Sequence, residues 1–258
     1  MSTDVATKCA TVRAAVAPVH LDARIASVQI SQQLAGYDVE LLDERDEWWL
    51  IRGADDYDGW VHRGYLAAEG DAQRAASERR RLSLGCVAVS SNGGTRALPL
   101  RAWLAADERP VAGDVIDADA LATRFPATAD AIVDSAQRFF VGTSYQWGGV
   151  TPWGADCSGF AQAMFSLHGI SIPRDAWQQS AVGVPGEASI DDARAADLLF
   201  FSDRADQRIT HVALALGERR VAHVALGRGG FHLERLDDGN DAYVSTLRER
   251  FLFARRVL

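Results

Sequence analysis

Three side chains in the C-terminal half are of types that could cut an amide bond. Cys157 lies in ADCSGF, His211 opens HVALALG, and His223 sits inside VAHVA. The run DCSGFAQAMFSLHG places Phe160, Met164 and Leu167 on one helical face, with Gly169 as a stop, so Cys157 falls in that helix's first turn. A thiol there meets unpaired backbone N–H groups and the positive end of the helix dipole, which favours the thiolate and raises its nucleophilicity. Such a nucleophile needs a base, and a histidine at the start of a buried strand is held rigidly enough to serve. His223 could bond the base's remaining ring nitrogen, fixing its tautomer and supporting the imidazolium.

Plainer readings compete with this one. Free cysteine is among the most buried residue types, and each histidine taken singly reads as a hydrogen-bonded structural residue. A metal site built from Cys157, His211 and His223 is a third option, although their separations match no local zinc motif. His20, His62, His168 and His232 have no catalytic context and read as surface or packing residues.

The elements that must position these groups follow from periodicity. ATADAIVDSAQRFFV carries Ile132, Val133, Ala136, Phe139 and Phe140 at helical spacing before Gly142, which opens a third domain at about residue 127. After the Cys157 helix come ADLLFFS, HVALALG, VAHVALG and FLFARRVL, short apolar runs bounded by polar residues or Gly, as buried strands are. Helices first and antiparallel strands afterwards make an α+β domain over 127–258. A tight hairpin with Glu218 and Arg219 as its two turn residues would set Leu214 opposite His223 and throw His211 onto the other face. The two imidazoles can meet only if the turn departs from that form or a strand carries a bulge.

Upstream, VRAAV, IASVQI, DVELLD, WWLIRG and GWVHRGYL alternate between turn-formers and suggest a small antiparallel barrel over 1–68. EGDAQRAASERRR, at 69–81, reads as a linker or short surface helix. LGCVAV, TRALPL, AWLAA and GDVIDADAL then offer a second, degenerate barrel, so that 69–126 is linker plus barrel.

Five spaced segments carry a resemblance. YQWGG at 145–149, ADCSGF at 155–160, ADLLFF at 196–201, THVALALG at 210–217 and VAHVA at 221–225 resemble the NlpC/P60 family of cell-wall cysteine peptidases. The resemblance covers 127–258 and implies a papain-like α+β fold with Cys157, His211 and His223 as nucleophile, base and orienter. It also implies an auxiliary catalytic role for Tyr145. The N-terminal part resembles bacterial SH3-like domains, with YDGWV at 57–61 as the local signature, and implies one or two small SH3-like β-barrels before the peptidase.

That pairing occurs in a subgroup cleaving the γ-D-glutamyl bond to a diamino acid, diaminopimelate or lysine, in short cell-wall peptides during peptidoglycan recycling. Substrate contacts implied for this chain are Tyr57, Asp156, Ser158 and Asp175. Tyr57 and an acidic residue would read the free N-terminal L-alanine, with Asp175 binding its ammonium group, although Tyr57 and Trp60 could equally plug the barrel. PRDAWQQS at 173–180 resembles the segment lining the specificity end of the groove. Asp156 also reads as a helix N-cap, and the two roles are compatible. Two other functions stay open: a polymer-acting endopeptidase or amidase anchored by its SH3-like domains, and a catalytically silent wall-binding protein.

Composition agrees with a globular chain and narrows the partners. The 258 residues carry a formal net charge of -8, which disfavours nucleic acid and anionic membranes as partners because both need a positive field. No run approaches the roughly 20 apolar residues of a membrane span, and no secretory leader is recognisable. With three cysteines at unmatched spacings and no metal or organic cofactor called for, the expectation is a cytoplasmic monomer acting on small peptides, or a secreted one if a leader was trimmed.

Overall fold

The computed structural model describes residues 8–67 and 80–258. Most of the charged 69–81 stretch therefore lies outside the described residues. The described residues up to Ala120 make one compact unit and Leu121–Leu258 another.

In the first unit, β1 (Cys9–Val12), β2 (Val16–His20), β3 (Gln29–Leu34), β4 (Asp38–Arg45), β5 (Trp48–Arg52), β6 (Asp58–His62) and β7 (Leu66–Ala67) form one antiparallel sheet in the order β3-β2-β6-β5-β4-β1-β7. Alternation turns Ala10, Val12, Ala17, Val19, Val39, Ile51, Val61 and Leu66 into a single apolar core. β8 (Arg81–Val89), β9 (Thr95–Leu98) and β10 (Arg109–Asp117) make a second sheet with β8 in the middle. AWLAA forms no strand there: only Trp103 bridges to Leu82, and its amide donates to the Ala35 carbonyl, tying the two sheets together.

The second unit opens with a helical turn at Leu121–Arg124 and then α1 (Ala129–Phe139), which buries Ile132, Val133 and Ala136 on the face their spacing marks. A short hairpin, β11 (Val150–Thr151) and β12 (Gly154–Ala155), leads into α2 (Cys157–Leu167). α2 buries nearly all its residues, as an apolar helix enclosed by the fold must. α3 (Ala176–Gln179) is a single turn. Strands β13 (Val184–Pro185), β14 (Leu198–Phe201), β15 (His211–Gly217), β16 (Arg220–Ala225), β17 (Gly230–Arg235) and β18 (Phe251–Arg256) form the antiparallel sheet β13-β18-β14-β15-β16-β17, with α4 (Ala242–Glu249) before the last strand.

The β15–β16 hairpin resolves the phase problem posed by the spacing. The turn does have two residues, Glu218 and Arg219, both at positive φ, as the right-handed strand twist favours. Gly217 pairs with Arg220, yet Ala215 pairs with Val221 and Leu214 with Ala222, so Leu216 is an extra residue on β15. This bulge restores His211 and His223 to one face.

Candidate active site

Cys157 is the first residue of α2, and Asp156 is its N-cap: Oδ1 accepts from the Gly159 amide at 2.7 Å and Oδ2 from the Gly148 amide at 2.8 Å. The helix start is pressed against the preceding loop. A Cβ on Gly159 would lie 2.0 Å from the Gly149 carbonyl oxygen, so only glycine fits there. Arg174, 1 % exposed, locks this turn by a bidentate pair with Asp156 at 3.1 and 2.7 Å and a further bond to Ser158 Oγ at 2.9 Å.

The Cys157 thiol is buried. The amides of Val212, which follows His211 on β15, and of Ser158 donate to its sulfur and favour the thiolate, as does the Arg174 charge. Burial outweighs them and, with the Asp156 carboxylate, pushes the thiol up to about 12. The helix N-terminus therefore does not by itself deliver the lowered thiol pKa that the sequence suggested. Burial also holds His211 well below the usual imidazole range, and His223 below it as well. At neutral pH the resting pair is thiol and neutral imidazole, and the proton must leave sulfur as attack begins.

His211 Nε2 and His223 Nδ1 are 2.9 Å apart, which leaves Nδ1 as the other nitrogen of the His211 ring. His223 is fully buried, and its Nε2 faces Glu234 Oε1 at 3.4 Å. Tyr243 packs edge-on against His223, ring centroids 5.9 Å apart. Glu234, 4 % exposed, is held by Arg228 at 2.7 and 3.0 Å, and Arg228 continues to Asp241, the N-cap of α4. His223 and Arg228 together hold the Glu234 carboxyl at about 2 despite its burial.

Tyr145 is half-buried, its amide bonded to the Gly229 carbonyl. Burial and the negative charges of Cys157 and Asp156 push its hydroxyl up, so it is a proton donor at neutral pH. Asp175 lies at the start of α3, its amide donating to Gln178 and its carboxylate accepting from the Trp177 indole at 3.3 Å. Tyr57 is half-buried in the other unit, in the loop before β6, while Trp60 is buried. Cys157, Asp156, Ser158, Tyr145, His211 and His223 thus converge within one unit.

The sequence reading missed Arg174 as the partner of Asp156, and it missed Glu234, Arg228 and Tyr243. A signal existed for Glu234: in GFHLER it alternates in phase with His232, on the strand following His223. His168, read as a packing residue, bonds the Pro126 carbonyl and Ser135 hydroxyl. Among the described residues no group of three or more His, Cys, Asp and Glu side chains could hold a metal ion, and no helix is long and apolar enough to cross a membrane.

Residues 142–248 match the NlpC/P60 family model. Over 99 residues the chain is 42% identical to the γ-D-glutamyl-L-lysine dipeptidyl-peptidase of Bacillus subtilis, a match covering 37% of this chain and 32% of the relative. It is 37% identical over 105 residues to dipeptidyl-peptidase 6 of Lysinibacillus sphaericus, covering 40% and 35%. The chain thus spans about a third of the length of these curated relatives. A crystal structure of an NlpC/P60 family protein from Bacillus cereus superposes with a TM-score of 0.76 at 19% identity, over 97% of this chain and 99% of the other.

Proposed function

Since residues 142–248 are an NlpC/P60 family domain, we propose that the chain is a cysteine peptidase that hydrolyses the γ-D-glutamyl bond to an L-diamino acid in cell-wall peptides with a free N-terminal L-alanine. The observation that carries the chemistry is the His211–His223 contact beside a cysteine at a helix N-terminus. In this reading the Cys157 sulfur attacks the carbonyl as its proton passes to His211 Nδ1, and the backbone amide at the start of α2 and the Tyr145 hydroxyl donate to the oxyanion. His211 then protonates the departing diamino-acid amine, and water, deprotonated by the same ring, opens the thioester.

The names of the Bacillus and Lysinibacillus relatives support the bond assignment. Asp175 is the anion proposed for the ammonium group, because both Asp156 oxygens already accept from internal donors. Asp156 and Ser158 then serve the substrate by shaping the groove wall. The N-terminal unit is proposed to be SH3-like, and the setting to be peptide recycling by a cytoplasmic monomer. A second reading, action on a longer wall polymer, is favoured by Trp147, Trp153 and Trp177, which expose flat apolar surface on segments flanking α2.

Paired assays separate these readings. L-Ala-γ-D-Glu-diaminopimelate and its N-acetylated form are incubated with the protein and the products weighed by mass spectrometry. Cleavage of the free peptide alone is expected; equal cleavage of both would overturn the free-amine requirement and favour the polymer.

A further inference from the structure

We propose that Glu234, clamped by Arg228, which Asp241 holds in turn, is a positioning residue that sets the tautomers of His223 and His211 so that His211 presents an unprotonated Nδ1 to the Cys157 thiol. The base role of His211 rests on the peptidase reading; the tautomer assignment follows from the contacts alone.

A carboxylate only accepts hydrogen bonds, and Glu234 is ionised at neutral pH. The nearest His223 atom is Nε2, so the single proton of a neutral His223 ring belongs there. His223 Nδ1 is then a bare acceptor. It lies 2.9 Å from His211 Nε2, which must supply the N–H. His211, neutral and with its one proton spent, has a lone pair on Nδ1. When that nitrogen takes the thiol proton, the new imidazolium keeps its Nε2–H bond to His223, with the Glu234 charge one ring further on.

Every group facing His223 is compatible with this order. On β17, His232 sits opposite it and Glu234 lies two residues further along, opposite Val221. Arg228 disfavours a second proton on the ring, and Tyr243 makes a T-shaped ring contact with it. Arg228 holds both Glu234 oxygens, and Asp241 fixes Arg228 while capping α4 through the Tyr243 and Val244 amides. The tautomers are thus anchored to a helix end.

Glu234→Leu removes the acceptor, whereas glutamine could keep its amide oxygen in the place of Oε1, which takes both His223 Nε2 and Arg228 Nε. Without that acceptor a proton on His223 Nε2 would be buried with no partner, so it moves to Nδ1, which donates to His211 Nε2, and the His211 proton moves to Nδ1, against the thiol. The test is a long-range nitrogen–proton correlation spectrum of the histidine rings at pH 7.5, with kcat/KM measured alongside. The wild-type protein is expected to show both rings as the Nε2–H tautomer. In E234L both should shift to Nδ1–H, with kcat/KM down by about tenfold or more.

Unchanged tautomers in a folded E234L would overturn the proposal, as would an Nδ1–H tautomer for His211 in the wild type. If E234L does not fold, the wild-type spectrum decides alone. A wild type with the expected tautomers that cleaves no γ-D-glutamyl peptide would sink the peptidase reading instead.

Discussion

Removing Arg174 is the sharpest perturbation the structure offers outside the reacting groups. Arg174 and Asp156 are almost completely buried and joined by two charge-assisted bonds, so Arg174→Met strands a carboxylate in a low-dielectric interior. Breaking a buried pair costs about 3–5 kcal/mol. At roughly 2–4 °C per kcal/mol, Tm should fall by about 6 to 20 °C in scanning calorimetry. The double variant Arg174→Met/Asp156→Asn removes the stranded charge and should recover part of the loss, giving a coupling of at least about 1.5 kcal/mol. It will not recover all of it, because Asp156 also accepts from the Gly148 and Gly159 amides. Kinetics should move too: with the cation gone, Asp156 pushes the Cys157 thiol further up and kcat/KM falls. A single variant melting within about 2 °C of wild type, or a double variant no better than the sum of its parts, would refute the reasoning.

Gly159→Ala should lower Tm as well, since its Cβ must displace the Gly149 carbonyl; a variant of wild-type stability would contradict the close approach. Iodoacetamide alkylation of Cys157 in the free protein should be slow at pH 7 and climb above pH 9, because burial holds the thiol up at about 12; full reactivity at pH 6 would mean a preformed ion pair. Stability should fall in acid. His211 and His223 have folded pKa values depressed below 6.5, so the unfolded chain binds more protons and stability is lost as pH drops below that value. Glu234, depressed from 4.5 to about 2, adds a loss of about 3 kcal/mol as pH falls below 4.5. A urea midpoint constant from pH 7 to pH 5 would count against the histidine effect, and one constant from pH 5 to pH 2 against the Glu234 effect.

The placement of Cys157, His211 and His223 was legible because its signals are local. Cys157 shows its helix start through Asp156, Phe160, Met164 and Gly169, and the need for a bulge between His211 and His223 followed from strand parity alone. Support for those groups was not legible because it depends on pairings between segments. Arg174 meets Asp156 only when the segment after α2 folds back, and Glu234 meets His223 only through the β16–β17 register. The thiol's protonation was misjudged for the same reason: the helix start is visible in sequence, while the enclosure that outweighs it is tertiary. AWLAA reads as a strand by composition, yet Trp103 is used as a bridge between sheets instead.

The most direct test of the central claim is turnover of L-Ala-γ-D-Glu-diaminopimelate by the wild-type protein and by Cys157→Ala, followed by mass spectrometry with circular dichroism to verify folding. The account predicts L-Ala-D-Glu and free diaminopimelate from the wild type, unaffected by EDTA, and no product from a folded Cys157→Ala. Product from the variant, or none from the wild type on this peptide or its lysine counterpart, would contradict it.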